Sequence, residues 1–472
     1  FFSRYMGGEI VVAACTLGIT WGLFEYLDQR QPKHLYVVAV ALALSLSAGA
    51  GAYTFIFVIV IFVLVLALAN RLSGSSQHWQ RISDTWQVAR GEKGLLKECA
   101  IWFVVIFVLV CTSFLLHLSG LQDGIDLFLA WLSVLKPRVG GHPWYYHLQL
   151  LLLYEPLILV FGLAAVVYLF LRQRDSLSLS LFAIRHSPFA IFLAYWSGMA
   201  FLIYLIAGGR GPGDVLLIVA PLALLAGSFI GRVLDEVAAK ASWMWEGLFV
   251  VLACPVIVHL GLELGGYAAR GGRNYLLLAL ATVFILIGLL VLYWVSFGWE
   301  PTLRAGGLVL LSVLTVVTVS TSCNLNYRRA SDPREIMVVS PTSRCVFDLV
   351  ETLERVSSRR SGDSKTIAVT VHRGAGPAVA WYLRDFSNLE FVDQLSSSVD
   401  TPVVIAPADE QEPTLGGNYS GQDFVLTSSW KPQGLSGSDL VEWLFYRRAP
   451  TPVQIVNVIL WVKQELPPEG SE

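Results

Sequence analysis

Ten apolar runs, each near the length that crosses a bilayer, fill the first 322 residues of the chain. A helical span takes about 17–25 mostly apolar residues. Such runs leave few folds open. In hydrocarbon every backbone N–H and C=O must be satisfied internally, which a helix achieves and an open sheet does not. The runs lie near 9–27, 35–49, 52–70, 98–118, 147–171, 189–207, 214–231, 244–264, 274–295 and 305–322. The second is short, and Gly49-Ala50-Gly51-Ala52 reads as a tight turn into the third, since small residues let the backbone reverse.

Composition separates a second part from this body. Charged residues make up 14% of the 472 positions, against roughly 25% in soluble domains. From Cys323 onward there are 14 basic and 19 acidic residues in 150, about 22% charged, whereas residues 1–322 hold 19 and 16, about 11%. This predicts an α-helical polytopic membrane domain over 1–322 and an α/β domain over 323–472. The net charge of −2 gives no electrostatic footprint for nucleic acid. No internal repeat with broken helices suggests a transporter, and no polar stripe suggests a pore. Six cysteines are present without a CxxC pattern, and no metal or other cofactor is implied. Cys323 and Cys345 lie in polar sequence and could pair in an oxidising compartment.

Basic residues in short loops orient the spans. One set of loops holds thirteen and the alternate set six. The richer set faces the cytoplasm, which puts the N-terminus, the 119–146 loop and the C-terminal domain outside the plasma membrane. A chain that starts outside implies an odd number of spans before it, so an N-terminal portion is expected upstream of Phe1. Within the outer loop, the apolar spacing over 121–135 predicts an amphipathic interfacial helix. In the outer domain Ile336–Val339, Thr366–Val371, Pro402–Ala406 and Asp423–Thr427 read as strands. Cys345–Ser357, Pro377–Phe386 and Asp439–Tyr446 read as helices, giving a small three-layer domain.

Ionisable residues at membrane depth are functional candidates because burying them is costly. Glu9 stands at the outer mouth of the first span, after Gly7-Gly8 and near Arg4; a plain interfacial ion pair with Arg4 is the alternative. His142-Pro143-Trp144-Tyr145-Tyr146, then Tyr154-Glu155-Pro156, supply aromatic faces for a sugar or lipid head group. An interfacial aromatic belt is the competing reading. The segment Gly208-Gly209-Arg210-Gly211-Pro212-Gly213-Asp214 joins one guanidinium to exposed amides, which suits a phosphate, or is simply a flexible turn.

These residues together resemble the GT-C glycosyltransferases, a superfamily that includes dolichyl-phosphate-mannose-protein mannosyltransferases and lipid A aminoarabinose transferases. The nearest resemblance is to the flippase-activity-associated proteins of glycosylation clusters. Phe2-Ser3-Arg4-Tyr5 through Glu9 is similar to that family's Phe/Tyr-Ser-Arg motif followed by an acid. His142 through Tyr146 with Tyr154-Glu155 resembles its Pro-Trp-Tyr-Tyr and Tyr-Glu run. Ala207 through Pro212 resembles a loop that normally reads Gly-Glu-Lys, one residue, Pro-Trp. Trp381-Tyr382-Leu383-Arg384-Asp385 and Leu460-Trp461-Val462 resemble segments of its outer domain. The departures are the acid reached through Gly7-Gly8 instead of Arg-Asn, Gly49-Ala50-Gly51-Ala52 in place of a Lys-Glu pair, and Gly209-Arg210 in place of Glu-Lys.

The resemblance implies sugar transfer from a polyprenyl-phosphate donor outside the cell membrane, with no cofactor. It puts the main catalytic acid upstream of Phe1. Glu9 would then orient the acceptor or base, Arg4 and Arg210 would hold the lipid phosphate, and His142, Trp144, Tyr145, Tyr146, Tyr154 and Glu155 would contact sugar or acceptor. The altered charges leave a second expectation open, a catalytically silent relative serving as a scaffold subunit of a membrane complex.

Overall fold

The computed structural model describes residues 7–73, 77–92, 94–134, 136, 142–172, 188–209, 211–239, 243–338, 341–396, 399–408, 415, 417–432, 435 and 437–464. The chain is an α-helical polytopic membrane protein with a C-terminal α/β unit. Its first compact unit runs to Gly261 and takes in Leu278–Asn326; its second joins Leu262–Leu277 to the sequence from Tyr327 onward.

In the first unit, α1 (Glu9–Gln29) and α2 (Pro32–Ala48) pack closely. Small residues allow this, as between other membrane helices. Ala39, Ala41 and Ala43 of α2 are buried, and a Cβ on Gly22 of α1 would meet Val38 Cγ2 at 2.8 Å. Thr16 and Thr20 satisfy their buried hydroxyls by donating to the carbonyls of Ala13 and Thr16. Then follow α3 (Gly51–Ser73), the polar α4 (Gln77–Gly91), α5 (Leu95–Cys111) and α6 (Gly120–Val134), the last realising the amphipathic helix expected over 121–135. Its described part stops at Val134, because Leu135 is outside the described residues.

Two expected spans differ. The run 98–118 stops being helical at Cys111. Thr112 Oγ1 donates to Val108 O and accepts the Leu115 N–H, and Ser113, Phe114 and Leu115 all have positive φ. Side-chain competition for the backbone thus replaces the next helical turn. The run 147–171 is broken into α7 (Tyr146–Tyr154) and α8 (Pro156–Arg172), bent by 106°. Pro156 has no N–H and disfavours helical geometry at the residue before it, and Glu155 accordingly sits at φ −129°, ψ 45°.

The remaining spans are α9 (Pro188–Ile206), α10 (Val215–Ala238), α11 (Trp243–Arg270), α12 (Arg273–Phe297) and α13 (Trp299–Cys323). Among the described residues, seven helices are long and apolar enough to cross a membrane, or nine if each of two bent pairs counts as one span. The 17-residue α2 is a further apolar helix. Glu246 of α11, fully buried, accepts from Arg304 Nε of α13 at 2.9 Å.

The second unit is a five-stranded sheet in the order β2-β1-β3-β5-β4. Its strands are β1 (Val369–His372), β2 (Leu389–Val392), β3 (Val403–Pro407), β4 (Tyr419–Ser429) and β5 (Gln454–Lys463). β1 runs parallel to β2 and β3, while β5 is antiparallel to β3 and β4. All of Val403–Ala406 is buried, the mark of a central strand covered on both faces. α14 (Cys345–Ser361) and α15 (Pro377–Tyr382) share its core through Leu349, Leu353, Val379 and Leu383. α16 (Gly437–Tyr446) donates from the Tyr446 hydroxyl to the Gly265 carbonyl at 3.1 Å.

Three expectations for the sequence from Cys323 onward fail. Ile336 and Met337 form a turn, not a strand: the Val338 N–H donates back to Glu335 O and the Glu335 N–H to Asp332 O. Cys323 and Cys345 are free thiols. The helix expected over Pro377–Phe386 also stops early, since the Leu383 and Phe386 amides close short turns.

Candidate functional site

The N-terminus of α1 rests on the end of α2. A Cβ on Gly8 would overlap the Ala48 carbonyl, so only glycine permits this approach. Glu9 is therefore presented at the α2–α3 turn. Opposite it, Pro212–Asp214 forms a single 3-10 turn leading into α10. Gly213 lets the Glu9 side chain lie against the backbone, since a Cβ there would stand 3.1 Å from Glu9 Oε1. Gly8, Glu9, Ala48, Gly49, Gly213 and Asp214 are among the residues lining a cavity of about 150 Å³. Two carboxylates thus line one small space bordered by several glycines.

Asp214 is held from several sides. Its Oδ2 accepts the Gly211 N–H at 2.7 Å, and its carboxylate accepts from the Tyr204 hydroxyl. The same hydroxyl lies 3.4 Å from Thr54 Oγ1, which accepts Trp131 Nε1–H at 3.0 Å. His147 Nε2 donates to the Gly211 carbonyl at 3.2 Å and stands 4.0 Å from Asp214 Oδ2. Thr54, His147 and Tyr204 are all buried. Side chains of α3, α6, α7 and α9 therefore converge on the acid at the head of α10.

The aromatic segment divides in two. His142 and Tyr146 stack with ring centroids 4.0 Å apart and planes 10° from parallel. Tyr146 is buried, next to His147. Trp144 and Tyr145 are exposed, at 63% and 40%, as interfacial aromatics are. Tyr154 is buried at the end of α7. Glu155 sits at the break, its N–H donating to Leu151 O and its C=O accepting from Leu159. Arg4 and Arg210, expected to hold a phosphate, lie outside the described residues.

Sequence reasoning singled out Glu9 as a candidate but passed over Asp214, His147, Tyr204 and Thr54, which the structure groups near it. For Asp214 a signal existed, an acid opening an apolar run. His147 carried one too, an imidazole inside a hydrophobic segment. Tyr204 and Thr54 carried none, since each is an ordinary residue of an apolar helix. Among the described residues, no group of three or more His, Cys, Asp or Glu could hold a metal ion.

No family model matches the chain. No curated protein matches it either. The crystal structure of ArnT from Cupriavidus metallidurans bound to undecaprenyl phosphate is similar to this chain at 13% identity and a TM-score of 0.37, over 85% of this chain and 79% of that one.

Proposed function

We propose that the chain is a GT-C-like membrane glycosyltransferase that takes a sugar from a polyprenyl-phosphate donor at the extracytoplasmic face of the plasma membrane. The observation that carries this reading is the pair of carboxylates, Glu9 and Asp214, facing one cavity at the ends of apolar helices. Acids so placed are costly and mark function by default. The motif resemblance at Glu9, at 142–155 and at 207–212 supports the same class.

In this reading one carboxylate takes the proton of an acceptor hydroxyl. The acceptor oxygen bonds to the anomeric carbon, the bond from that carbon to the phosphate oxygen breaks, and the lipid phosphate leaves with the electron pair. Arg210, next in sequence to Gly211, and Arg4, five residues before Glu9, supply positive charge for the phosphate. The exposed Trp144 and Tyr145, with His142, offer ring faces to a sugar. In this reading the C-terminal unit contacts acceptor or partner.

The test is transfer from polyprenyl-phosphate sugars by the protein in proteoliposomes, read as released polyprenyl phosphate. Glu9→Gln and Asp214→Asn should each lower the rate about 100-fold or more. Unchanged turnover in both would overturn the assignment.

One observation favours the silent-scaffold reading. Gly49 and Ala50 line the cavity where the resemblance leads to a Lys-Glu pair, and no Lys or Arg is among the described lining residues. A chain with no transfer activity that co-purifies with stable membrane partners would support it. A lone, active monomer in mild detergent would exclude it.

A further inference from the structure

The end of α1 remote from Glu9 borders a second and larger cavity, of about 530 Å³. Volumes of 300–1,000 Å³ are typical of small-molecule sites. Its walls come from six helices of the first unit: the last two turns of α1, the middle of α3, α4 and the first turn of α9, with Leu35 of α2 and Leu96 of α5. Phe24, Phe62, Leu66, Ile82, Phe189 and Phe192 make most of the interior apolar. An apolar cavity excludes water and takes apolar guests, and in a bilayer the abundant apolar guest is a lipid chain.

The rim is polar and asymmetric in charge. Asp28 of α1 is paired with Arg81 of α4. Glu25, one turn earlier, accepts from the neutral Gln29 and leaves one negative charge in excess at the rim. Tyr26 also lines the cavity. It is 4% exposed, and its hydroxyl has no hydrogen-bond partner among the described residues. Trp86, half-exposed on the rim, is a residue type that anchors at the headgroup level.

We infer that this cavity is a binding site for a membrane phospholipid with an amine-bearing head group. One acyl chain fills the aromatic interior. The phosphate meets Arg81 and the ammonium lies between Glu25 and Asp28. An anionic lipid would bring its phosphate to Arg81 with nothing to offset Glu25. This site is separate from the Glu9–Asp214 cavity and does not depend on the chain being a transferase.

The experiment is native mass spectrometry of the full chain released from nanodiscs of equal phosphatidylethanolamine and phosphatidylglycerol, with polyprenyl phosphate added in a parallel arm. The wild type should retain one phosphatidylethanolamine over phosphatidylglycerol by about fivefold. Glu25→Gln should bring that ratio close to one while lipid is still bound. Ala89→Trp, which fills the cavity, should abolish retention, and the milder Ile59→Phe should reduce it where the larger residue upsets folding. Preferential retention of phosphatidylglycerol or of polyprenyl phosphate would overturn the inference. So would retention unaffected by Ile59→Phe together with a head-group ratio unaffected by Glu25→Gln.

Discussion

The Glu9 carboxylate lies directly over the backbone of Gly213: a Cβ at Gly213 would stand 3.1 Å from Oε1 and overlap the Glu9 side chain further back. Gly213→Ala should therefore push Glu9 out of the cavity without touching the helix core. Transfer activity should fall at least tenfold, a loss of about 1.4 kcal/mol of transition-state stabilisation, while the thermal midpoint in detergent stays within a few degrees. A fully active Gly213→Ala protein would mean that the position of Glu9 is not critical.

Gly8 makes a backbone contact, and its neighbour cannot give way. An added methyl would overlap the Ala48 carbonyl oxygen. Gly8→Ala should cost about 1–3 kcal/mol through overpacking, read as a lowered thermal midpoint. It should also lower activity, because α1 carries Glu9 with it. A stable Gly8→Ala protein would count against the close approach of α1 and α2.

Glu246 is fully buried and bonded to Arg304. Arg304→Leu leaves that carboxylate unpaired and should destabilise by about 3–5 kcal/mol. Arg304→Leu with Glu246→Gln should recover most of the loss. A thermal melt of the three proteins checks this, and equal midpoints for the single and double variants would contradict it.

In the C-terminal unit Ser357 is fully buried. Its Oγ donates to Asp363 O at 2.5 Å and accepts the N–H groups of Thr366 and Ile367 at 3.3 and 3.2 Å. It ties the end of α14 to the segment entering β1. Ser357→Ala should cost about 1–3 kcal/mol, because it strands buried polar groups. Faster amide exchange at Thr366 and Ile367 would localise the effect.

Much of this architecture is legible in the sequence for simple reasons. Apolar length fixes where a helix can cross, so α1, α3 and α9 through α13 fall close to their expected runs. Pro377 after Gly376 marks the start of α15, as the fixed φ of proline suits a first turn. Hydropathy is blind to direction, however, and the run 147–171 reads as one span although Pro156 turns it. The three left-handed residues after Thr112 leave no trace in an apolar count. The convergence on Asp214 is illegible for a different reason. Thr54, His147, Tyr204 and Asp214 come from four separated stretches, and only the packing of their helices brings them together.

The break at Glu155–Pro156 has a consequence in distance. α7 is nine residues long, about 13 Å at the usual rise. It leaves the axis of α8 by 106°. Were the two segments one rod, the far end of α7 would lie about 20 Å from where it is. His147 would then be well out of reach of Gly211 and Asp214, and the His142–Tyr146 stack would stand away from the acids. A missing N–H in one peptide unit thus decides whether aromatic rings and carboxylates share a neighbourhood, and the chain achieves this by aiming a helix sideways, not by adding a polar residue.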